Sequence, residues 1–172
     1  TLWQGSVGRL AEIKQQMRAP QEGMHGNLFQ HPFLSWRALP VPVIAAIDGV
    51  CYGAGLQLAL AADFRIAAPD ARLSIMEAKW GLVPDMGLTQ MLPGLMRADQ
   101  AKLLFMTAPV LGASEAQSLG LVTQVAQDPT DAALSLAASL AARSPEAVQS
   151  SKALVEASWA SDPDLLKLEA EL

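Results

Sequence analysis

The stretch GVCYGAGLQLALAADFRIAAP, residues 49–69, constrains the fold more than any other part of the chain. Before it, an apolar run with Val43, Ile44 and Ile47 is bounded by Pro40 and Pro42 on one side and Asp48-Gly49 on the other, the pattern of a short buried strand. Gly53 and Gly55 then mark the change to an alanine- and leucine-rich segment, 54–62, which predicts a helix. A strand that ends in glycines and opens a helix aims unpaired backbone N–H groups, and the positive end of the helix dipole, at whatever lies in front of them. A group that is negative, or becomes so, is expected there. Bare backbone also permits tight packing of helix on strand, and this stretch alone leaves both readings open.

Downstream, FRIAAP (64–69) and ARLSIM (71–76) read as two more short strands around a turn containing Asp70. Upstream, Leu10, Ile13 and Met17 recur at helical spacing over 9–18 and predict a helix ending near Pro20. A second helical stretch over 27–38 is interrupted at His31-Pro32. From Asp85 onward the pattern is almost wholly helical, with 121–127 as the one strand. Asp128-Pro129, Ser144-Pro145 and Asp162-Pro163 each place a capping side chain before a proline suited to the first helical position. Ser114 with Gln117 three residues on matches a capping box. The pattern is α/β, with a helical layer over a strand-bearing first half.

Composition narrows the partners. The formal charge is −5, and the twelve Lys and Arg form no cluster suited to successive phosphates, which argues against nucleic acid. No apolar run reaches the roughly eighteen residues of a membrane span, and no three-part leader is visible, so the expectation is a soluble, cytoplasmic protein without membrane partners. Only 5% of residues are aromatic, so the core is expected to be small and aliphatic, a composition that also suits a subunit with a buried interface. Cys51 is the single cysteine; it forms no internal disulfide or cysteine-rich metal site and reads as a small buried hydrophobe. His25 and His31 lie in loop-like sequence without a partner pattern, and no metal site is expected.

Three anionic ligands fit a glycine turn at a helix start. A dinucleotide pyrophosphate needs G-x-G-x-x-G, but after Gly53 and Gly55 position 58 is Leu. A phosphate loop needs Lys followed by Ser or Thr, and none is present. An oxyanion hole remains, in which N–H groups meet a carbonyl oxygen as it takes on charge.

The segment PVIAAIDGVCYGAGLQLALAADFRIAAPDARLSIMEAKWGLVPDMGLTQMLPGL resembles the central region of the crotonase, or enoyl-CoA hydratase/isomerase, superfamily. The similarity continues through TAPVLGASEAQSLGLVTQV and SPEAVQSSK, over roughly residues 27 to 172. The resemblance implies a spiral of ββα units with a C-terminal helical layer, assembled as trimers or pairs of trimers. Residues 1–127 would form the central part of the spiral and 128–172 the helical segment of the same domain. It implies an acyl-CoA thioester substrate, hence a place in fatty acid metabolism, and an enolate held by two backbone N–H groups. Coenzyme A enters as part of the substrate, and no separate cofactor is implied.

Carried over by position, the second N–H donor is that of Ala54, with Gly53 and Gly55 beside the substrate. The first donor belongs to an Ala-Gly-x-Asp-like segment with no counterpart before Ala54, so about 70 to 90 N-terminal residues are expected beyond this sequence. Of the two glutamates that serve hydratases of the family, the first falls on Gln57, an amide that exchanges no proton at neutral pH, and the second on Glu77. Asp85, eight residues on, has the spacing of a catalytic aspartate in the dienoyl-CoA isomerases. The main expectation is therefore double-bond isomerisation by Glu77 and Asp85, with Gln57 orienting substrate, water or a carboxylate. Hydration by Glu77 with a water positioned by Gln57 is the alternative lyase reading. A dehalogenase-like nucleophilic Asp85 and a non-catalytic acyl-CoA-binding homologue are further readings. Met76, Trp80 and Met86 are candidates to line the acyl pocket. On local grounds Asp85 reads equally as a helix N-cap, Glu77 as a solvated loop residue and Gln57 as a partner for nearby backbone.

Overall fold

The computed structural model describes residues 13, 15, 22–160 and 164–171. Ile13 and Gln15 are helical; the rest of the 9–18 stretch and the Asp162-Pro163 punctuation lie outside the described residues. Four strands follow one another in pairs: β1 (Ile44–Ile47) and β2 (Val50–Tyr52), then β3 (Phe64–Ala67) and β4 (Arg72–Ser74). The two members of a pair go to different sheets. In one sheet β1 lies parallel to β3, Ile44 opposite Phe64, and β3 lies parallel to β6 (Gln124–Val125), Ile66 opposite Gln124. In the other, β2 lies parallel to β4, Val50 opposite Arg72, and β4 runs antiparallel to β5 (Leu111–Gly112). The chain changes sheet at Asp48-Gly49, where Gly49 adopts φ 69°, a left-handed conformation that glycine enters without steric cost. The helix Ala54–Leu60 closes the first pair, and a 3₁₀ helix, Glu77–Trp80, follows the second. Each strand–strand–helix unit thus adds one strand to each sheet.

The core is aliphatic, as the composition requires. Leu56, Ile66, Leu73, Ile75, Leu88, Met91 and Leu121 are fully buried, and small residues such as Ala67, Ala71 and Ala116 fill the close approaches between elements. Arg65 on β3 is buried too. Its Nε donates to the Leu121 carbonyl at 2.8 Å and its Nη1 to the Ala62 carbonyl at 2.5 Å, so the cation fastens the β3 strand to the segment that becomes β6. Burial lowers its pKa, while the nearby Asp63 raises it.

The C-terminal helix Pro129–Ala141 packs on β1 and β3, covering the first sheet, and the helix Pro145–Trp159 follows it. Their starts carry the predicted caps: the Asp128 carboxylate accepts from Asp131 N–H at 2.9 Å and Ser144 Oγ from Ala147 N–H at 3.3 Å. The second helix is tied down by Lys152. Its ammonium lies 2.9 Å from Asp63 Oδ2, which also accepts from Val43 N–H at 2.7 Å, and 3.2 Å from the Val41 carbonyl.

Four expectations are corrected. The capping box at Ser114 does not form: the helix begins at Ala113 and Gly112 is the N-cap, so Ser114 already lies inside the first turn. His31-Pro32 does not interrupt a helix but begins one, His31–Arg37, because proline fits the first turn, and the residues before it form turns. The segment after Asp85 holds a second strand, β5, besides β6. The helix after the glycine turn ends at Leu60, two residues early, and β2 is a strand of its own between the two glycine-bearing turns.

Two outcomes follow from this packing. The Lys152 and Asp63 side chains are 9% and 18% exposed, so Lys152→Met should strand a largely buried carboxylate and lower unfolding stability by about 3 kcal/mol, read by urea denaturation. Cys51, in β2, is buried, and desolvation pushes its thiol up to about 11. In the unfolded chain the thiol ionises near 9.0, so this contribution to stability is full below that pH and is lost as pH rises from about 9 to about 11. The thiol should accordingly resist a disulfide reagent at pH 8 in native protein and react at once in denaturant.

Candidate active site

The site grows from the turn between β2 and the helix Ala54–Leu60. Gly53 takes φ 53° and ψ −123°, a conformation closed to residues with a Cβ, and its N–H donates to the Ser74 carbonyl at the end of β4 at 2.9 Å. The turn is therefore pinned between the two parallel strands of one sheet. Ala54 is the first helical residue, so its N–H has no carbonyl of its own helix to reach and points forward from the helix start. Ala54 and Gly55 are exposed. In the same turn, Gln57 N–H bonds to the Gly53 carbonyl at 3.0 Å, and its side chain, 1% exposed, is turned into the protein.

Glu77, the first residue of the 3₁₀ helix, meets that side chain. Gln57 Nε2 donates to Glu77 Oε1 at 2.6 Å, and the same carboxylate oxygen sits over Gly53, 3.5 Å from where a Cβ would stand on that glycine. The carboxylate is thus held one peptide away from the Ala54 N–H. Its other oxygen, Oε2, is buried and has no hydrogen-bond partner among the described residues. A buried carboxylate oxygen without a donor is costly, and such a group marks the place where a ligand or water completes the structure.

The opposite end of the Gln57 amide is used as well. Gln57 Oε1 accepts from Met86 N–H at 3.0 Å, while the carbonyl of Asp85, the other half of the same peptide, accepts from Gln30 Nε2 at 3.2 Å. Two glutamine side chains clamp the Asp85–Met86 peptide from its two ends. Asp85 is half-buried, and among the described residues its carboxylate makes no hydrogen bond or ion pair. It is not a helix cap, since the next helix, Leu88–Met91, is capped by Gly87 at φ 91°. Nor is Glu77 a solvated loop residue. Met76 and Met86 are half-buried on either side of the carboxylate segment. Trp80, at 73% exposed, projects outward beside the exposed Leu82 and Val83 and lines no closed pocket among the described residues. His25 and His31 stack on each other, ring centroids 5.9 Å apart, with the His25 backbone N–H bonded to His31 Nδ1 at 3.1 Å.

Gln30 is the residue that sequence reasoning missed. It sits 55 positions before Asp85 in a turn-rich segment, and nothing local singles it out. Removing the Gln57 amide should unpair both Glu77 Oε1 and Met86 N–H. We expect Gln57→Leu to lower unfolding stability by roughly 2–3 kcal/mol, measured by chemical denaturation.

Residues 6–172 match the family model described as Enoyl-CoA hydratase/isomerase. The chain is 47% identical over 87 residues to the mitochondrial methylglutaconyl-CoA hydratase of Mus musculus, a match covering 51% of this chain and 28% of that one. An enoyl-CoA hydratase from Polaromonas sp. JS666 superposes with a TM-score of 0.80 at 32% identity, covering 99% of this chain and 65% of that one. A Thermobifida fusca YX protein assigned to the enoyl-CoA hydratases and solved with acetoacetyl-CoA gives 0.78 at 35% identity, covering 83% and 57%. The chain spans less than two thirds of each of these proteins.

Proposed function

The chain belongs to the enoyl-CoA hydratase/isomerase family, and on that premise we propose that it adds water reversibly across the double bond of an enoyl-CoA thioester, with Glu77 as the acid–base group. One observation carries this reading: a carboxylate fixed by Gln57 through one oxygen offers its second, buried oxygen, unpartnered among the described residues, beside the N-terminus of the Ala54–Leu60 helix. A water bound at Oε2 gives a proton to Glu77 as its oxygen attacks the β-carbon. The thioester carbonyl then carries the negative charge, which the Ala54 N–H and the helix dipole stabilise together with a second backbone donor. Glu77 returns the proton to the α-carbon, so the carboxylate ends as it began. Gln57 cannot exchange protons; its two polar atoms are both engaged with protein, and its part is to hold Glu77. The hydratase names of the similar proteins favour this chemistry over the isomerisation read first from the spacing of Asp85.

Isomerisation stays as a second reading because of Asp85, whose half-buried carboxylate makes no hydrogen bond or ion pair among the described residues and is tied through its own peptide to Gln57. Crotonyl-CoA and a 3,5-dienoyl-CoA separate the two readings. Hydration erases the conjugated absorbance of the first, whereas isomerisation lengthens the chromophore of the second. We expect crotonyl-CoA to be hydrated, Glu77→Gln to lower kcat at least a hundredfold with the ester still bound, and Asp85→Asn to change kcat less than threefold. A dienoyl-specific enzyme silenced by Asp85→Asn would establish the second reading. Binding of acyl-CoA with turnover of neither substrate would leave a non-catalytic thioester-binding protein.

A further inference from the structure

We infer that Gln30 is a positioning residue, which sets the Glu77 carboxylate through the Asp85–Met86 peptide and Gln57. The inference rests on the reading of Glu77 as the acid–base group, but its first step is purely structural. Gln30 Nε2 donates to the Asp85 carbonyl, and its Oε1 accepts from Asn27 N–H at 3.2 Å, so the side-chain amide joins two backbone groups that no secondary structure brings together. The turn around it is shaped to admit that side chain. Gly26 has φ 80°, and a Cβ there would stand 2.6 Å from Gln30 Oε1, a distance no real contact allows. Asn27, 7% exposed, holds the turn from inside by accepting the Phe29 and Gln30 N–H groups on Oδ1, both at 2.9 Å.

The same segment touches the site's strap a second time. A Cβ on Gly87, which has φ 91°, would stand 2.7 Å from Leu34 Cδ2, so the helix His31–Arg37 packs directly against the backbone just past Met86. Residues 85–87 are thereby held between Gln30 and Leu34 on one side and Gln57 on the other. A peptide gripped at its C=O by one amide and at its N–H by another cannot rotate without breaking both bonds. Rotation would release Gln57 Oε1 and with it the orientation of the Nε2 that holds Glu77 Oε1. Sub-ångström misplacement of an acid–base group lowers turnover far more than it lowers affinity for the ester, since the bond to be made is the one that needs alignment.

Gln30→Glu tests this, because it keeps the shape of the side chain and removes its donor at neutral pH; Gln30→Met serves as a second variant with neither polar atom. In the full chain, both should speed hydrogen exchange of the Met86 backbone amide and the Gln57 side-chain amide at least tenfold, followed by NMR. With crotonyl-CoA, kcat should fall about tenfold while KM changes less than twofold, a split that general loosening of the fold would not give. Unchanged exchange at Met86 in both variants overturns the inference, as does faster exchange with kcat unaltered in an active enzyme. If the unsubstituted protein hydrates no enoyl-CoA, the reading of Glu77 fails by itself, and the exchange comparison still decides whether Gln30 holds the peptide.

Discussion

One buried amide organises this molecule's functional end. Gln57 stands in the first turn of a helix that starts at a glycine, so its backbone is fixed by the helix and its side chain by two bonds of opposite polarity. The carboxylate it holds belongs to the second strand–strand–helix unit, and the N–H it accepts belongs to the loop after it. Units that are only neighbours in the spiral become one rigid group through this side chain. A carboxylate at the same place would meet Glu77 at 2.6 Å as a like charge, and an apolar residue would leave both partners unsatisfied. The amide is the side chain that can serve a carboxylate and an N–H at once.

The sequence carried the strand-to-helix turn plainly, because glycine's φ freedom, proline punctuation and a change of hydrophobic period are local signals. It carried the caps at Asp128 and Ser144 for the same reason. Ser114 failed as a cap because a capping box is also satisfied by residues already inside a short helix, and the strand pairing of Leu111–Gly112 with β4 decided where that helix began. Of the two-residue strands, Gln124–Val125 was legible within the 121–127 run, whereas Leu111–Gly112 could not be read, since no periodicity shows in two residues.

The candidate residues divide along the same line. Glu77, Gln57 and Ala54 could be named from position in a resemblance, and the structure places all three around Gly53. The spacing of Asp85 led toward isomerisation, but spacing fixes where a backbone passes and not what its side chain does. Here the peptide of Asp85 has a bonded role of its own, independent of the carboxylate. Gln30 was invisible because its partners lie 55 residues away and its own neighbourhood reads as a turn.

Having an uncharged side chain at position 57 also alters the electrostatic load of the pocket. Positions 57 and 77 together carry one ionisable acid where a pair of carboxylic acids would carry two, and in a poorly screened interior an anion repels another negative charge within a few ångströms by several kcal/mol. In the proposed hydration Glu77 holds the water's proton while the enolate exists, so the charge proposed beside Ala54 meets no carboxylate at position 57. What position 57 gives up as a proton donor it returns as one ionisable acid fewer beside the helix start.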